Sequence, residues 1–246
     1  EIALHTRNIE RKNFSWGSDL TFSRNRNKIL ELDDANRVYW RNLYWYSEFQ
    51  TATRTNVGQP IGLFYGYQME GIFADQQDIL DHAVQVSDPN NDGKNLVDKR
   101  TGVWIGDVKF KDLNGDGVIN TEDQTIIGDP NPDFTFGLNN RFSLGNFDLT
   151  IFLTGSYGGD VLNYSRVQIE GMTNVYANQA STVFNRAQYA LVDPTGSDLD
   201  PANVYLANPG TDIPRPTTTD NNRNNRMSDR FIEDGTYVRL QNILLS

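Results

Sequence analysis

Apolar and polar side chains alternate along several short stretches of the chain, which is the pattern of β-strands with one apolar face. In the clearest example, aromatic or aliphatic side chains occupy four of the five alternate positions from Phe14 to Phe22, with small or polar residues between them. The stretches with this pattern are residues 2–9, 14–23, 134–144, 147–154 and 236–246. Helical periodicity is confined to residues 75–86, where Ile79, Ala83 and Val86 predict a short loop helix.

The connections between the predicted strands alternate between very short and very long. Residues 10–13 and 145–146 are short, and Gly145-Asn146 is a tight-hairpin signal. The other two connections cover roughly residues 25–132 and 158–234. Outer-membrane barrels combine short periplasmic turns with long external loops, whereas structureless loops of this length are uncommon in compact soluble domains.

This alternation predicts an all-β fold, a segment of a large antiparallel transmembrane β-barrel with about five membrane strands in residues 1–246. If the short turns are periplasmic, both long connections are extracellular. Their Asn-rich runs at 90–93 and 220–225 are typical of solvated loops. Segments within them, at 63–67 and 103–110, are candidates for small hairpins.

The composition of the chain argues against several functional classes. A net charge of −10 argues against nucleic-acid binding, which requires clustered Lys and Arg. The absence of cysteine excludes disulfides and thiolate chemistry, and only His5 and His82 could serve a histidine-based centre. No apolar stretch approaches the ~20 residues of a membrane-spanning helix, but a transmembrane strand needs only ~10 residues.

Both ends of the chain predict an internal piece of a longer protein. The sequence begins at Glu1 without Met, and it stops directly after the apolar run 243–245.

One motif carries specific chemistry. Residues 112–123 fit a calcium-binding loop, whose alternate positions supply oxygen ligands and whose sixth position is a glycine, here Gly117. The predicted ligands are Asp112, Asn114, Asp116, the carbonyl of Val118, Asn120 and Asp123. Ile119 is the inward apolar anchor of this loop.

The motif departs from an EF-hand in two respects. Position 12 is Asp123 instead of Glu, and residues 108–110 before the loop look extended instead of helical. The loop therefore resembles the calcium-binding half of an EF-hand without its helices. The alternative is a metal-free network of Asx turns. A second run, 88–93, begins similarly but places Lys99 at position 12, which predicts an ordinary turn.

Aromatic clusters at 39–40, 44–46 and 64–67 have two interpretations. They either pack in the loops and in the interfacial girdle of a barrel, which we favour, or expose ring faces to sugars. Enzymatic function is not expected, because no convergent pair of acidic residues, nucleophile motif or phosphate-binding loop is visible.

Several segments together resemble the later part of SusC/RagA-type outer-membrane proteins. They follow the family's order: residues 58–73 with the sequence GQPIGLFYGYQMEGIF, 106–119 with GDVKFKDLNGDGVI, 127–142 from IGDPNP onwards, 147–159 with FDLTIFLTGSYGG, and 234–243 with DGTYVRLQNI. The match covers almost the whole chain.

The resemblance implies a 22-stranded barrel with an N-terminal plug in the outer membrane of a Gram-negative, Bacteroidetes-type bacterium. It also implies that the plug domain and most of the strands lie outside residues 1–246. It implies uptake of oligosaccharides or peptides, energised by TonB through the N-terminal part, with a SusD-like surface lipoprotein as partner. The alternative is a soluble, calcium-stabilised β-module that binds carbohydrate, and an enzyme such as a glycan hydrolase ranks last.

Overall fold

We analysed a computed structural model of the chain. It describes residues 1–33, 39–45 and 48–246, and for residues 39–45 and 48–49 it describes the main chain alone. The strands are β1 Ile2–Arg11, β2 Phe14–Ser23, β3 Tyr39–Trp45, β4 Glu48–Thr55, β5 Leu63–Gly66, β6 Met69–Ile72, β7 Ser87–Asp88, β8 Asn91–Asn95, β9 Val108–Phe110, β10 Thr125–Gly128, β11 Phe134–Leu144, β12 Phe147–Tyr157, β13 Asp160–Leu162, β14 Tyr189–Leu191, β15 Val204–Leu206, β16 Ile232–Asp234 and β17 Tyr237–Leu245. The helices are α1 Gln76–Asp81 and α2 Tyr164–Glu170, and 3₁₀ turns occupy Thr121–Asp123, Ser181–Asn185, Pro201–Asn203 and Asp229–Phe231.

The five long strands form one antiparallel sheet with the order β1-β2-β11-β12-β17. Two-residue turns, at 12–13 and 145–146, join neighbouring strands at one end of this sheet. The long connections leave from the opposite end, where Ser23 pairs with Thr135 and Ser156 pairs with Tyr237. The first strand is longer than residues 2–9, because a bulge after Arg7 restores its pairing with β2 and lets the strand continue.

The register of the sheet aligns apolar side chains across all five strands. One row consists of Leu4, Leu20, Leu138, Leu153 and Leu240. Since side chains alternate along a strand, polar residues occupy the other face. There the Asp19 carboxylate lies 2.7 Å from His5 Nδ1 and 3.4 Å from an Arg141 nitrogen. A sheet with this division suits a barrel wall, with lipid on one side and a polar lumen on the other.

One polar cluster interrupts the apolar face. The Asn140 side-chain oxygen accepts hydrogen bonds from Ser18 Oγ at 2.7 Å and from Trp16 Nε1 at 3.1 Å. These bonds span neighbouring strands. The indole N–H and the Ser18 hydroxyl therefore have partners within the sheet, as polar groups facing lipid require.

The two long connections form a folded body with its own core, here called the loop body, which comprises the described residues of 24–133 and 158–236. All buried apolar side chains among the described residues lie between Ala52 and Phe231, outside the five long strands. A four-stranded sheet, β10-β5-β4-β3, and several short hairpins build this body. Its largest fully buried side chains include Trp104, Phe73 and Phe110.

Local elements of the loop body differ from the sequence predictions in extent. The helix expected at 75–86 is only α1, capped by Asp75 and ending at Asp81, because Val84 instead bridges to the 117–119 segment. Ile79 is fully buried, as its position in the helical pattern predicts. Among the described residues, no helix is long and apolar enough to cross a membrane.

The two candidate hairpin segments are strands with other partners. β5 pairs with β4 and β10, while the segment at 103–110 is extended only over β9, which pairs with β6. Tyr65 and Tyr67 are buried, so their rings are core residues and not exposed platforms. The side chains of the clusters at 39–40 and 44–46 fall outside the described part of the chain.

Candidate functional site

The run at 220–226 lies inside the loop body. Asp220 and Arg226 are buried, and three asparagines of this run are only 1–2 % exposed, namely Asn222, Asn224 and Asn225. The prediction that 220–225 is a solvated loop is therefore wrong for four of its six residues, whereas Asn221 and Arg223 are exposed. Buried amides need hydrogen-bond partners, and the structure supplies them from segments more than 100 residues away.

These amides complete the free edge of β9. Asn224 accepts a hydrogen bond from the Val108 N–H at 2.7 Å, and Asn222 Nδ2 donates to the Val108 carbonyl at 2.8 Å. Gln85 accepts from the Phe110 N–H at 2.7 Å and donates to the Val108 carbonyl at 2.9 Å. Because β6 pairs with only one edge of β9, side chains satisfy main-chain groups that would otherwise be buried without partners.

A buried ion pair anchors this network. Arg215 donates to both oxygens of Asp107, with Nε at 2.7 Å and Nη2 at 3.1 Å, and Asp107 is completely buried. The carboxylate also accepts from Asn224 Nδ2 at 2.9 Å and from the Trp104 N–H at 2.8 Å. Burial raises the pKa of Asp107, although Arg215 opposes that shift. Gly106, with a φ of +91°, lets the Arg215 stem approach closely.

Arg226 occupies a largely apolar and carbonyl-lined position. Its guanidinium lies 4.3 Å from the centre of the Phe110 ring and 5.0 Å from that of Tyr67. Its nitrogens donate to the Asn222 carbonyl at 2.6 Å and to the Arg223 carbonyl at 3.2 Å. Burial lowers the pKa of Arg226 to about 10, so the group stays charged at neutral pH. Cation–π contacts and carbonyls thus stabilise this buried charge.

A second ionic cluster ties α2 to the 3₁₀ turn at Asp229–Phe231. The buried Glu170 carboxylate accepts from Arg166 Nε at 3.0 Å and from Arg230 Nη2 at 3.2 Å. Arg166 also donates to the Arg230 carbonyl at 2.8 Å. Burial lowers the pKa of Arg230 to about 10. These bonds join two segments that are about 60 residues apart in sequence.

The predicted calcium loop lies on the surface of the same body, between β9 and β10. Asp112 and Asp123, at positions 1 and 12, are organised by the main chain of the loop. Both oxygens of each carboxylate accept backbone N–H groups at 2.7–2.9 Å, from Gly115 and Gly117 for Asp112 and from Leu113 and Asn120 for Asp123. The hydrogen bond from Gly117 is the main reason that the pKa of Asp112 is lowered.

The intermediate positions form consecutive Asx turns. Asn114, Asp116 and Asn120 each accept the N–H group two residues later in the chain, at 2.7–2.9 Å. The Asn114 amide nitrogen donates to Asp116 at 3.0 Å and to Glu122 at 3.3 Å. Side-chain turns of this kind fix the shape of the loop without requiring a metal.

The structure does not bring the acidic side chains of this loop to a common point. Within the described ranges, no three His, Cys, Asp or Glu side chains form a group that could hold a metal ion. The remaining predicted ligands are amide and carbonyl oxygens, which include the Val118 carbonyl. Calcium binding at 112–123 therefore stays a prediction.

Neither histidine belongs to such a group. His5 pairs with Asp19 on the polar face of the five-stranded sheet. His82 lies 3.2 Å from a Glu70 carboxylate oxygen and packs edge-on against Phe73. The run at 88–93 forms a small β7–β8 hairpin, whose turn is held by a hydrogen bond from the Asn90 N–H to Asp88.

The whole chain is similar to one part of larger, curated receptors. No protein-family model matches it. The chain is 31 % identical over 99 % of its length to the TonB-dependent receptor P3 of Formosa agariphila, and 30 % identical over its full length to the receptor P26 of the same organism. It spans about a fifth of the length of these curated relatives, 20 % and 21 % respectively.

Solved structures show the same fold. A chain of the RagAB peptide transporter matches 99 % of these residues with a TM-score of 0.61 at 16 % identity. The RagAB peptide importer in its "closed-closed" state gives a TM-score of 0.62 at 17 % identity. In both cases this chain covers 22 % of the solved chain.

The prediction of an all-β segment of a large antiparallel barrel is confirmed by this fold. The named relatives are receptors and transporters, which agrees with the expectation that the protein is not an enzyme. From end to end, the chain is thus similar to a segment of TonB-dependent receptors, as the resemblance noted in the sequence predicts, and it shares its fold with chains of the RagAB transporter.

Proposed function

We propose that the chain forms part of an outer-membrane importer that takes up oligosaccharides or peptides with energy delivered through TonB. The five-stranded sheet with one apolar face carries this proposal, since it suits a barrel wall in a protein homologous to TonB-dependent receptors. The setting is the outer membrane of a Gram-negative, Bacteroidetes-type bacterium. The apolar face contacts lipid, and the loop body lies on the extracellular side.

A SusD-like surface lipoprotein is the proposed partner on that side. Both long connections leave the same end of the sheet, so the whole loop body is available to an external protein. It exposes large apolar side chains, with Tyr176 at 95 % and Phe184 at 78 %. Exposed apolar patches on folded proteins often mark contacts with other proteins.

The experiment compares uptake in cells with and without the receptor that contains this chain. Labelled pools of short peptides and of oligosaccharides are supplied separately. We expect deletion to lower uptake of one pool at least tenfold, and loss of TonB or a protonophore to have the same effect. Uptake that persists without TonB would contradict the importer, and folded protein recovered without detergent would favour the soluble carbohydrate-binding module.

We also propose Ca²⁺ as a structural ion of the 112–123 loop. Its support is the spacing of oxygen-bearing residues together with the preformed turns, because each bonded carboxylate oxygen retains further acceptor capacity.

Millimolar Ca²⁺ is expected to slow hydrogen exchange at the Gly115 and Gly117 amides of the purified protein in detergent. The expected dissociation constant is about 10⁻⁴–10⁻³ M, the range of extracellular calcium modules. The double variant Asp112→Asn, Asp116→Asn should remove the effect. Asp92→Asn, in the β7–β8 hairpin, is the matched control and should leave it intact. Equal exchange with calcium and with chelator in the wild-type protein would favour the metal-free loop.

A further inference from the structure

Two adjoining clefts open on the surface of the loop body. Their volumes are about 640 and 370 Å³, and both are lined by Lys99, Arg215 and Pro216. Arg100 lines the larger cleft and Arg186 the smaller one. A cleft of this size accommodates a small organic ligand or the end of a short peptide.

Basic side chains dominate this region, although the chain as a whole has a net charge of −10. Asp198 is the one carboxylate among the described lining residues, and it is paired with Lys99 Nζ at 2.7 Å. Arg215 is held by the buried Asp107. Two of the four lining cations therefore already have carboxylate partners.

Arg100 and Arg186 differ from the other two cations. Within the described part of the chain, neither guanidinium forms an ion pair, and Arg186 donates only to the Val183 carbonyl at 3.3 Å. Asp98 attracts the charge of Arg100 without forming an ion pair with it, and its Oδ1 accepts from the N–H groups of Arg100 and Thr101. Each of the two adjoining clefts thus contributes one guanidinium group outside any ion pair, Arg100 in the larger cleft and Arg186 in the smaller.

The remaining lining combines apolar surface with a strained main chain. Val175 and Leu199 are 73 % and 54 % exposed, and Met172 also lines the larger cleft. Met172 has a φ of +49°, a left-handed conformation that is unfavourable for a non-glycine residue. The surrounding structure holds this residue against its local preference, which is more common at binding sites than elsewhere.

We infer that these two adjoining clefts together bind a carboxylate-bearing peptide. Arg100 contacts the carboxylate from the larger cleft and Arg186 from the smaller one, and the aliphatic wall of the larger cleft contacts the neighbouring side chain. Arginine forms paired hydrogen bonds with carboxylates, which gives both orientation and affinity. The inference rests on the proposed function, because it makes the cleft a selectivity site for an imported solute.

An aliphatic peptide fits the lining better than an acidic sugar. Sugar rings bind against exposed aromatic faces. Among the described lining residues the one aromatic side chain is Tyr189, which already has Lys99 Nζ over its ring at 4.7 Å. The exposed aliphatic surface of Val175 and Leu199 suits a peptide side chain instead.

The test uses the receptor containing this chain, purified in detergent, and isothermal titration calorimetry. The probes are an N-acetylated aliphatic pentapeptide with a free C-terminal carboxylate, the same peptide as its C-terminal amide, and a uronate-bearing oligosaccharide. We expect the free carboxylate to bind at least tenfold more tightly than the amide. Arg100→Gln and Arg186→Gln should each weaken its binding about five- to tenfold without affecting the amide.

Lys111→Gln is the matched control, because Lys111 is an exposed cation of the loop body outside the cleft. It should bind all probes as the wild-type protein does. Equal affinity for carboxylate and amide, or wild-type affinity in both arginine variants, would overturn the inference. Tighter binding of the uronate oligosaccharide would overturn the peptide assignment. If the purified receptor shows the expected binding pattern but uptake in cells persists without TonB, the importer is refuted and the cleft assignment stands.

Discussion

Replacing Arg215 by Gln is expected to destabilise the loop body by about 3–5 kcal/mol, the usual effect of removing one partner from a buried ion pair. Asp107 would keep only the hydrogen bonds from Asn224 and Trp104 while remaining fully buried. An unpaired carboxylate in that position is more costly than the lost attraction alone. Hydrogen exchange at the Trp104 and Val108 amides measures this change, because both N–H groups donate into the network.

The double variant Asp107→Asn, Arg215→Gln separates the charge from the packing. It lacks the buried carboxylate and should be more stable than Arg215→Gln alone, although both lack the same guanidinium. Arg186→Gln is the control for loss of an arginine beside the same clefts, and it should leave exchange unchanged. If Arg215→Gln lowers the stability of the loop body by less than about 1 kcal/mol, the ion pair does not anchor it.

This effect should also depend on pH. Burial already raises the pKa of Asp107, and removing Arg215 would raise it further. A carboxyl group with a raised pKa in the folded protein still holds its proton at pH values where the unfolded chain has released it. The free energy of unfolding therefore decreases as pH rises from the unfolded pKa to the folded pKa. The Arg215→Gln variant should therefore be more strongly destabilised at pH 8 than at pH 5.

The five-stranded sheet was predictable from sequence because its signal is local. Alternation between Phe14 and Phe22, or along residues 134–144, needs no knowledge of distant partners. The tight turn at Gly145-Asn146 is likewise predicted by the identity of its two residues alone. Even the Asx turns of the 112–123 loop were predictable, because most hydrogen bonds of this loop join residues that are two to five positions apart.

The polar core of the loop body could not be predicted in this way. Asn222 and Asn224 have the composition of a solvated loop, and their burial depends on Val108, which is more than 100 positions away. The two clefts are equally non-local, since both are lined by Lys99 and Arg215. A single sequence with no alignment carries no signal for such pairings. The Asn-rich composition does indicate extensive hydrogen bonding. The prediction of a solvated loop differs from the structure because the partners of these amides are protein groups and not water.

Asp220→Asn is expected to flatten the pH dependence of loop-body stability between about pH 4 and pH 6. Burial is the main factor that raises the pKa of Asp220 from 3.8 to about 6, and Asp107 contributes in the same direction. Main-chain hydrogen bonds from Asn224, at 2.8 Å, and from Asn225 oppose the shift, as does the charge of Arg226.

The sign of the effect follows from proton binding. Between pH 3.8 and about 6, the folded protein holds a proton on Asp220 that the unfolded chain has released. Stability should therefore decrease as pH rises through this window, and a shift of this size corresponds to about 3 kcal/mol. Above pH 6 both states are ionised, and this contribution becomes constant.

Asparagine is a suitable replacement because it removes the charge and preserves the main chain. Asp220 has a φ of +43°, a left-handed conformation that Asn adopts as readily as Asp, and the Asn oxygen can still accept from the Asn224 N–H. Hydrogen exchange at the Asn224 amide, measured from pH 4 to pH 8, follows the opening free energy directly. Asp193→Asn, at an exposed turn, should retain the wild-type slope. A wild-type slope in Asp220→Asn would mean that this buried carboxyl does not link loop-body stability to pH.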